Sequence, residues 1–200
     1  MEGFNIASLN MLIETLGEEK TRSILADYSC PLNADIEDFL HHKAIDFDRQ
    51  AIAKTHIVFA SYQSQFVIAG YYTIANKVLF IRRTPALSAK LRSRLNRFSR
   101  SLENGYEISA PLIAQLGKNY TNGYDKLMTG DELLALACAS VQSIQAIMGG
   151  KVVYLECEDT PKLIAFYERN GFVAFDKRPL SNSDRQVFKS DHLVQMLKYF

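Results

Sequence analysis

The residues from Leu116 to Glu132 are the first place where this chain could do chemistry. An apolar segment ends near Leu116, a turn-rich stretch follows, and Thr129-Gly130-Asp131-Glu132 opens a long helical pattern. The first N–H groups of a helix lack intrahelical partners, and with the helix dipole they favour an anion such as a pyrophosphate. Gly130 would let that ligand approach the backbone closely. The same four residues also spell a T-x-x-E capping box, in which Glu132 takes up a free N–H itself. Asp131 and Glu132 would repel a phosphate unless they point away, so the anion site and the plain cap both stand on the local residues.

A second concentration lies between Ile81 and Leu102, where Arg82, Arg83, Lys90, Arg92, Arg94, Arg97 and Arg100 occur with no acid among them. The whole chain sums to +1, too near zero to argue for a polyanion, yet outside this segment sixteen basic residues face twenty-two acidic ones. Leu87, Leu91, Leu95, Phe98 and Leu102 recur at three- and four-residue steps, which predicts an amphipathic basic helix over 88–102. Such a helix either holds nucleic-acid phosphates or is a solvated outer face packed by its leucines.

Metal chemistry finds little support. Cys30, Cys138 and Cys157 are odd in number, far apart and without Cys-x-x-Cys or Cys/His spacing, so neither a zinc site nor a disulfide framework is expected and a reducing compartment fits best. His41 and His42 are adjacent, which on a helix aims them about 100° apart, and they read as surface or capping residues. No window reaches about 18 apolar residues and the N-terminus lacks a signal pattern, so the expectation is a cytoplasmic protein with no membrane segment.

The elements that must position these residues follow from pattern. At 200 residues, 48% apolar and 22% charged, the chain is expected to form a single domain over 1–200. Residues 18–30 are mixed in character; Asn33 or Asp35 caps a short helix with Ile36, Phe39 and Leu40, and a second runs over about 46–54. The sheet is expected to start with a strand pair over 56–62 and 66–75 around the polar Gln63-Ser64-Gln65. A strand over 106–116 follows the basic helix, with Pro111 arguing for an edge or a bulge. The helix opened by Thr129 puts Leu133, Ala137, Val141, Ile144 and Met148 on one face and stops at Gly149-Gly150. After an apolar strand over 152–157, Thr160 and Pro161 start a helix sharply, Asn170-Gly171 ends it, and strands over 172–175 and 193–200 complete the chain. This order is α/β (α+β), a mixed, partly parallel twisted sheet flanked by helices, and such sheets bind ligands at strand carboxyl ends.

Two stretches resemble the GNAT N-acetyltransferases. Lys162-Leu163-Ile164-Ala165-Phe166-Tyr167-Glu168-Arg169-Asn170-Gly171-Phe172 is similar to that family's A-x-x-F-Y-x-x-x-G-F signature. Leu112 to Leu134 resembles its acetyl-CoA-binding strand and pyrophosphate loop, Q/R-x-x-G-x-G/A; with Gly130 at the last glycine, Lys126 and Met128 occupy earlier motif positions. The path from Cys30-Pro31-Leu32 through Phe39-Leu40 and Thr55 to Val58, then Gly70-Tyr71-Tyr72, looks like the toxin-type branch that acetylates aminoacyl-tRNA.

The resemblance implies acetyl-CoA as cosubstrate and a primary amine, on a small molecule or a peptide, as acceptor. Leu116, Gly117 and Lys118 would pair with the pantetheine arm and aim an N–H at the thioester oxygen, where the tetrahedral oxyanion forms. Met128, Thr129, Gly130 and Asp131 would meet the pyrophosphate, and Tyr167 would protonate the departing sulfur. A phenol of pKa about 10 giving its proton to a thiolate of pKa about 8.5 goes uphill by about 2 kcal/mol. Without that context Tyr167 reads as a helix aromatic packed on the sheet. Glu107 and Asp125 are the carboxylates considered as base, and each also reads as a solvated surface acid. Two alternatives stay beside the amine acetyltransferase: a toxin-like enzyme holding tRNA through the basic helix, and a non-catalytic acyl-CoA-sensing or partner-binding module. A homodimer is left open.

Overall fold

The computed structural model describes residues 3–85, 87–180 and 191–200. The chain divides into two compact units, one built of Met1–Ala75 with Ile113–Ala139 and the other of Asn76–Leu112 with Ser140–Phe200.

The first unit opens with β1 (Phe4–Ser8), α1 (Leu9–Leu16) and α2 (Glu18–Leu25). Ser8 Oγ accepts from the Met11 N–H at 3.2 Å, and Gly17, at φ 82°, turns the chain out of α1. A helical run follows: α3 (Ala34–Asp38), capped by Asn33 Oδ1 on the Asp35 N–H at 3.0 Å, a π turn over Phe39–Lys43, and α4 (Ala44–Arg49). β2 (Lys54–Tyr62) and β3 (Gln65–Arg82) pair antiparallel through Gln63 and Ser64, both at positive φ, the geometry of a two-residue hairpin turn. Leu9, Leu25, Tyr28, Leu40, Ala44, Ile57 and Tyr71 are buried together as the core of this unit.

In the second unit β3 runs on to α5 (Ala89–Phe98), β4 (Arg100–Ser101) and β5 (Gly105–Lys118). After α6 (Gly130–Met148) come β6 (Val152–Glu158), α7 (Pro161–Arg169), β7 (Val173–Pro179) and β8 (His192–Tyr199). Leu91 and Leu95 from α5, with Leu87 just before it, join Leu79, Ile81, Tyr106, Ile108 and Tyr154 in a second core, as the leucine spacing predicts. A Cβ on Gly105 would come within 2.5 Å of the Ile81 carbonyl, so only glycine fits where β5 crosses β3.

The described strands follow the order β1-β2-β3-β5-β6-β8-β7, with β4 on β5. The mixed, partly parallel sheet expected from the sequence is present: Leu112 pairs with Tyr154 in parallel, whereas β8 lies antiparallel between β6 and β7.

Three expectations need correction. The sheet starts at β1, not at residue 56, because Phe4–Ser8 pairs along β2 from Phe4↔Ala60 to Ser8↔His56. The mixed stretch after residue 18 is the regular helix α2, whose Thr21 and Leu25 are buried while its exposed charges hide the pattern. Of the edge or bulge that Pro111 suggested, the edge is excluded, because β5 has β3 on one side and β6 on the other. Among the described residues no helix is long and apolar enough to cross a membrane.

Candidate active site

In the first unit, the backbone of β5 at Leu116-Gly117-Lys118 is gripped from several directions. A Cβ on Gly117 would overlap the Tyr28 hydroxyl and the Ile36 side chain, and one on Gly70 would sit 2.8 Å from the Gly117 carbonyl. Gly70 is there because backbone lies where its side chain would otherwise be, and Gly117 because the Tyr28 and Ile36 side chains fill that space. Lys118 turns back into the loop, where its ammonium donates to the Asp125 carbonyl at 2.7 Å and the Met128 carbonyl at 3.3 Å.

Asn119, fully buried, finishes the grip. Its Oδ1 accepts from the Ser29 and Thr121 N–H groups at 3.0 Å each, and its Nδ2 donates to the Ile68 carbonyl at 2.9 Å and the Asp27 carbonyl at 3.3 Å. The backbone adds Asn119 N–H to Ala69 and Tyr120 N–H to Ser29. One amide thus ties the strand end to the segment before α3 and to β3. Sequence reading passed over Asn119, since an asparagine in a turn-rich loop gives no local sign of partners fifty or ninety residues away.

At the start of α6 the capping box forms. Glu132 Oε2 accepts from the Thr129 N–H at 2.7 Å and the Thr129 hydroxyl at 2.8 Å, while Thr129 Oγ1 accepts from the Glu132 N–H at 3.1 Å. Those donated hydrogen bonds hold the Glu132 carboxyl below its usual pKa. The carboxylate therefore lies against the helix end, and Met128 buries its side chain while Gly130 and Asp131 remain half-exposed.

Tyr167 belongs to the second unit, on α7. The helix begins where expected, with Thr160 extended and Pro161 in the first turn, but the Thr160 side chain makes no capping bond. The Tyr167 ring lies edge-on to Phe166 and Phe172, at 4.9 and 5.8 Å between centroids. Its carbonyl accepts from the Asn170 and Phe172 N–H groups at 3.1 and 3.0 Å, so the Asn-Gly-Phe end of the signature folds back onto it. Burial, and secondarily the nearby Cys157 thiol, push the phenol pKa upward, which keeps it a proton donor at neutral pH.

No protein-family model matches this sequence, and no curated protein sequence matches it. Solved structures do. AtaT complexed with acetyl-methionyl-tRNAfMet is similar at a TM-score of 0.63 with 17% identity, over 98% of this chain and 94% of that one. A tyrosine-to-phenylalanine mutant of KacT gives 0.63 with 13% identity, over 96% and 94%. AtaTR bound with AcCoA gives 0.56 with 16% identity, over 100% and 94%. The chain shares the fold of these three structures. At this identity the likeness is one of fold, and the expectation of a mixed GNAT-like sheet is met.

Within the GNAT fold the other candidates have plain partners. Glu107 stands 3.7 Å from Arg100 in an ion pair, and Asp125 offers its main-chain carbonyl, not its carboxylate, to Lys118. His41 Nε2 lies 3.0 Å from the Tyr28 carbonyl, fixing the turn that carries Tyr28. The basic helix is shorter than expected: α5 ends at Phe98 and Arg100 already lies in β4. Arg83 packs on the Tyr106 ring at 4.7 Å and donates to Ser101 at 3.0 Å.

Proposed function

We propose that the protein is an acetyl-CoA-dependent N-acetyltransferase acting on a primary amine, its 200 residues serving as one functional domain. The observation that carries this reading is the clamped strand end Leu116-Gly117-Lys118, a rigid backbone leading through a tied loop to the N-terminus of α6. Rigid N–H groups stabilise an oxyanion because they need not reorganise when charge develops. In this reading Leu116, Gly117 and Lys118 hold the pantetheine arm, and Met128 to Asp131 meet the pyrophosphate through backbone. Tyr167 is the acid for the leaving thiolate. Its raised pKa makes the transfer more uphill, unless the same apolar surroundings raise that of the thiol as well.

A second reading makes the acceptor the α-amino group of an aminoacyl-tRNA. AtaT was solved with an acetylated aminoacyl-tRNA, and Glu107 is engaged by Arg100. An α-amino group of pKa about 8 needs less help from a base than a lysine-like amine near 10.4.

Titration calorimetry with acetyl-CoA, then free-thiol release with amines, peptides and charged tRNA, tests both readings. Tyr167→Phe is expected to keep cosubstrate binding and lower turnover by about a hundredfold, the usual worth of a positioned acid. No heat with acetyl-CoA would refute the cosubstrate; binding without transfer, unchanged by Tyr167→Phe, would leave the acyl-CoA-sensing module.

A further inference from the structure

On α5, Lys90, Ser93, Arg94, Arg97 and Phe98 fall on one stripe, and with Tyr199 and Phe200 they line an open pocket of about 470 Å³. The Arg94 guanidinium lies over the Tyr199 ring at 5.0 Å, and Phe98, 47% exposed, has its centroid 5.9 Å from that of Tyr199. The Tyr199 hydroxyl has no hydrogen-bond partner among the described residues.

The cations of this pocket differ from their neighbours in sequence. Arg83 and Arg100 are engaged, by Tyr106 and Ser101 and by Glu107. Lys90, Arg94 and Arg97 have no carboxylate partner among the described residues, although like charges at helical spacing repel. A concave wall of cations without carboxylate partners calls for an anion. A wall that also presents aromatic faces calls for an anion carrying flat rings, because every nucleobase stacks on an aromatic side chain while phosphates sit on the cations.

We propose that the pocket between α5 and the end of β8 is a nucleotide subsite for single-stranded RNA. Lys90, Arg94 and Arg97 hold the phosphodiester backbone and Phe98 with Tyr199 stacks an unpaired base. The proposal deepens the aminoacyl-tRNA reading and rests on it for the kind of polyanion; it does not need acetyl transfer.

The test is fluorescence anisotropy of the full chain with a labelled single-stranded RNA of mixed sequence. Three neutralised phosphates give a log–log salt slope of about −2, so affinity falls about twentyfold from 50 to 200 mM salt. Arg94→Glu with Arg97→Glu is expected to weaken binding at least tenfold, and Arg92→Glu, exposed on the same helix but outside the pocket, by far less. Phe98→Leu, which keeps apolar bulk and removes the ring, is expected to weaken single-stranded RNA about tenfold and leave inorganic polyphosphate binding unchanged. Absence of RNA binding by the wild type would refute the nucleic-acid reading itself. RNA binding that drops equally with Arg92→Glu, ignores Phe98→Leu, or is displaced as well by poly-glutamate would overturn the pocket and leave a general basic surface or an acidic-peptide site.

Discussion

The approach to α6 and the exposed stripe of α5 are both polar, and they treat their polar groups in opposite ways. Around α6, Lys118 is spent on two loop carbonyls, Asn119 satisfies four backbone groups, and Glu132 caps the helix end. On α5, Lys90, Arg94 and Arg97 stand beside one another with no carboxylate to answer them among the described residues. Internal satisfaction marks parts that hold shape, since an unmet buried group is expensive. Unanswered surface charge does nothing for shape and is left available for a ligand.

This contrast can be broken by mutation. The largest effect is expected at Asn119→Ala, which strands the Ser29 and Thr121 N–H groups and the Asp27 and Ile68 carbonyls. At 1–3 kcal/mol per stranded group, with some relief by water, the loss should be about 4 kcal/mol in urea unfolding. A loss under about 1 kcal/mol would show that the loop is not held as described.

Thr129→Ala should destabilise by about 1 kcal/mol, as for other lost helix caps. The lowered pKa of Glu132 sets a pH signature: the cap contributes fully above the ordinary value of 4.5 and is lost as pH falls through the lowered one. Wild type and Glu132→Gln should therefore differ in melting temperature above the ordinary carboxyl value of 4.5 and converge as pH falls through the lowered one. Parallel curves would remove the carboxylate from the cap.

The smallest effect belongs to α5. Arg94→Glu with Arg97→Glu should leave melting within about 0.5 kcal/mol of wild type, as surface changes do, with relief of repulsion tending toward stabilisation. A large loss would mean that these arginines are structural and that the two regions are alike after all.

The helix starts at Thr129 and Pro161 and the stop at Gly149 were legible because caps and breakers act on residues within one turn. The core of α5 was legible because Leu87, Leu91 and Leu95 follow helical spacing. By contrast β1 has only five residues with Ile6 exposed, and α2 is mostly charged, so neither carries enough pattern to be seen before its neighbours are in place. The signature around Tyr167 was readable as a motif, whereas the raised pKa of its phenol comes from burial within the second unit.

By itself the sequence determined which segments are helices with sharp ends, which faces are apolar, and where the basic residues concentrate, because these depend on neighbours within a few positions. Only the tertiary structure decided that β8 lies between β6 and β7, that Asn119 joins three distant segments, and that Tyr199 completes a pocket with α5. Each of these depends on pairing residues far apart in the chain, and a hydrogen bond or a ring contact leaves no trace in sequence until the core brings both partners to one place.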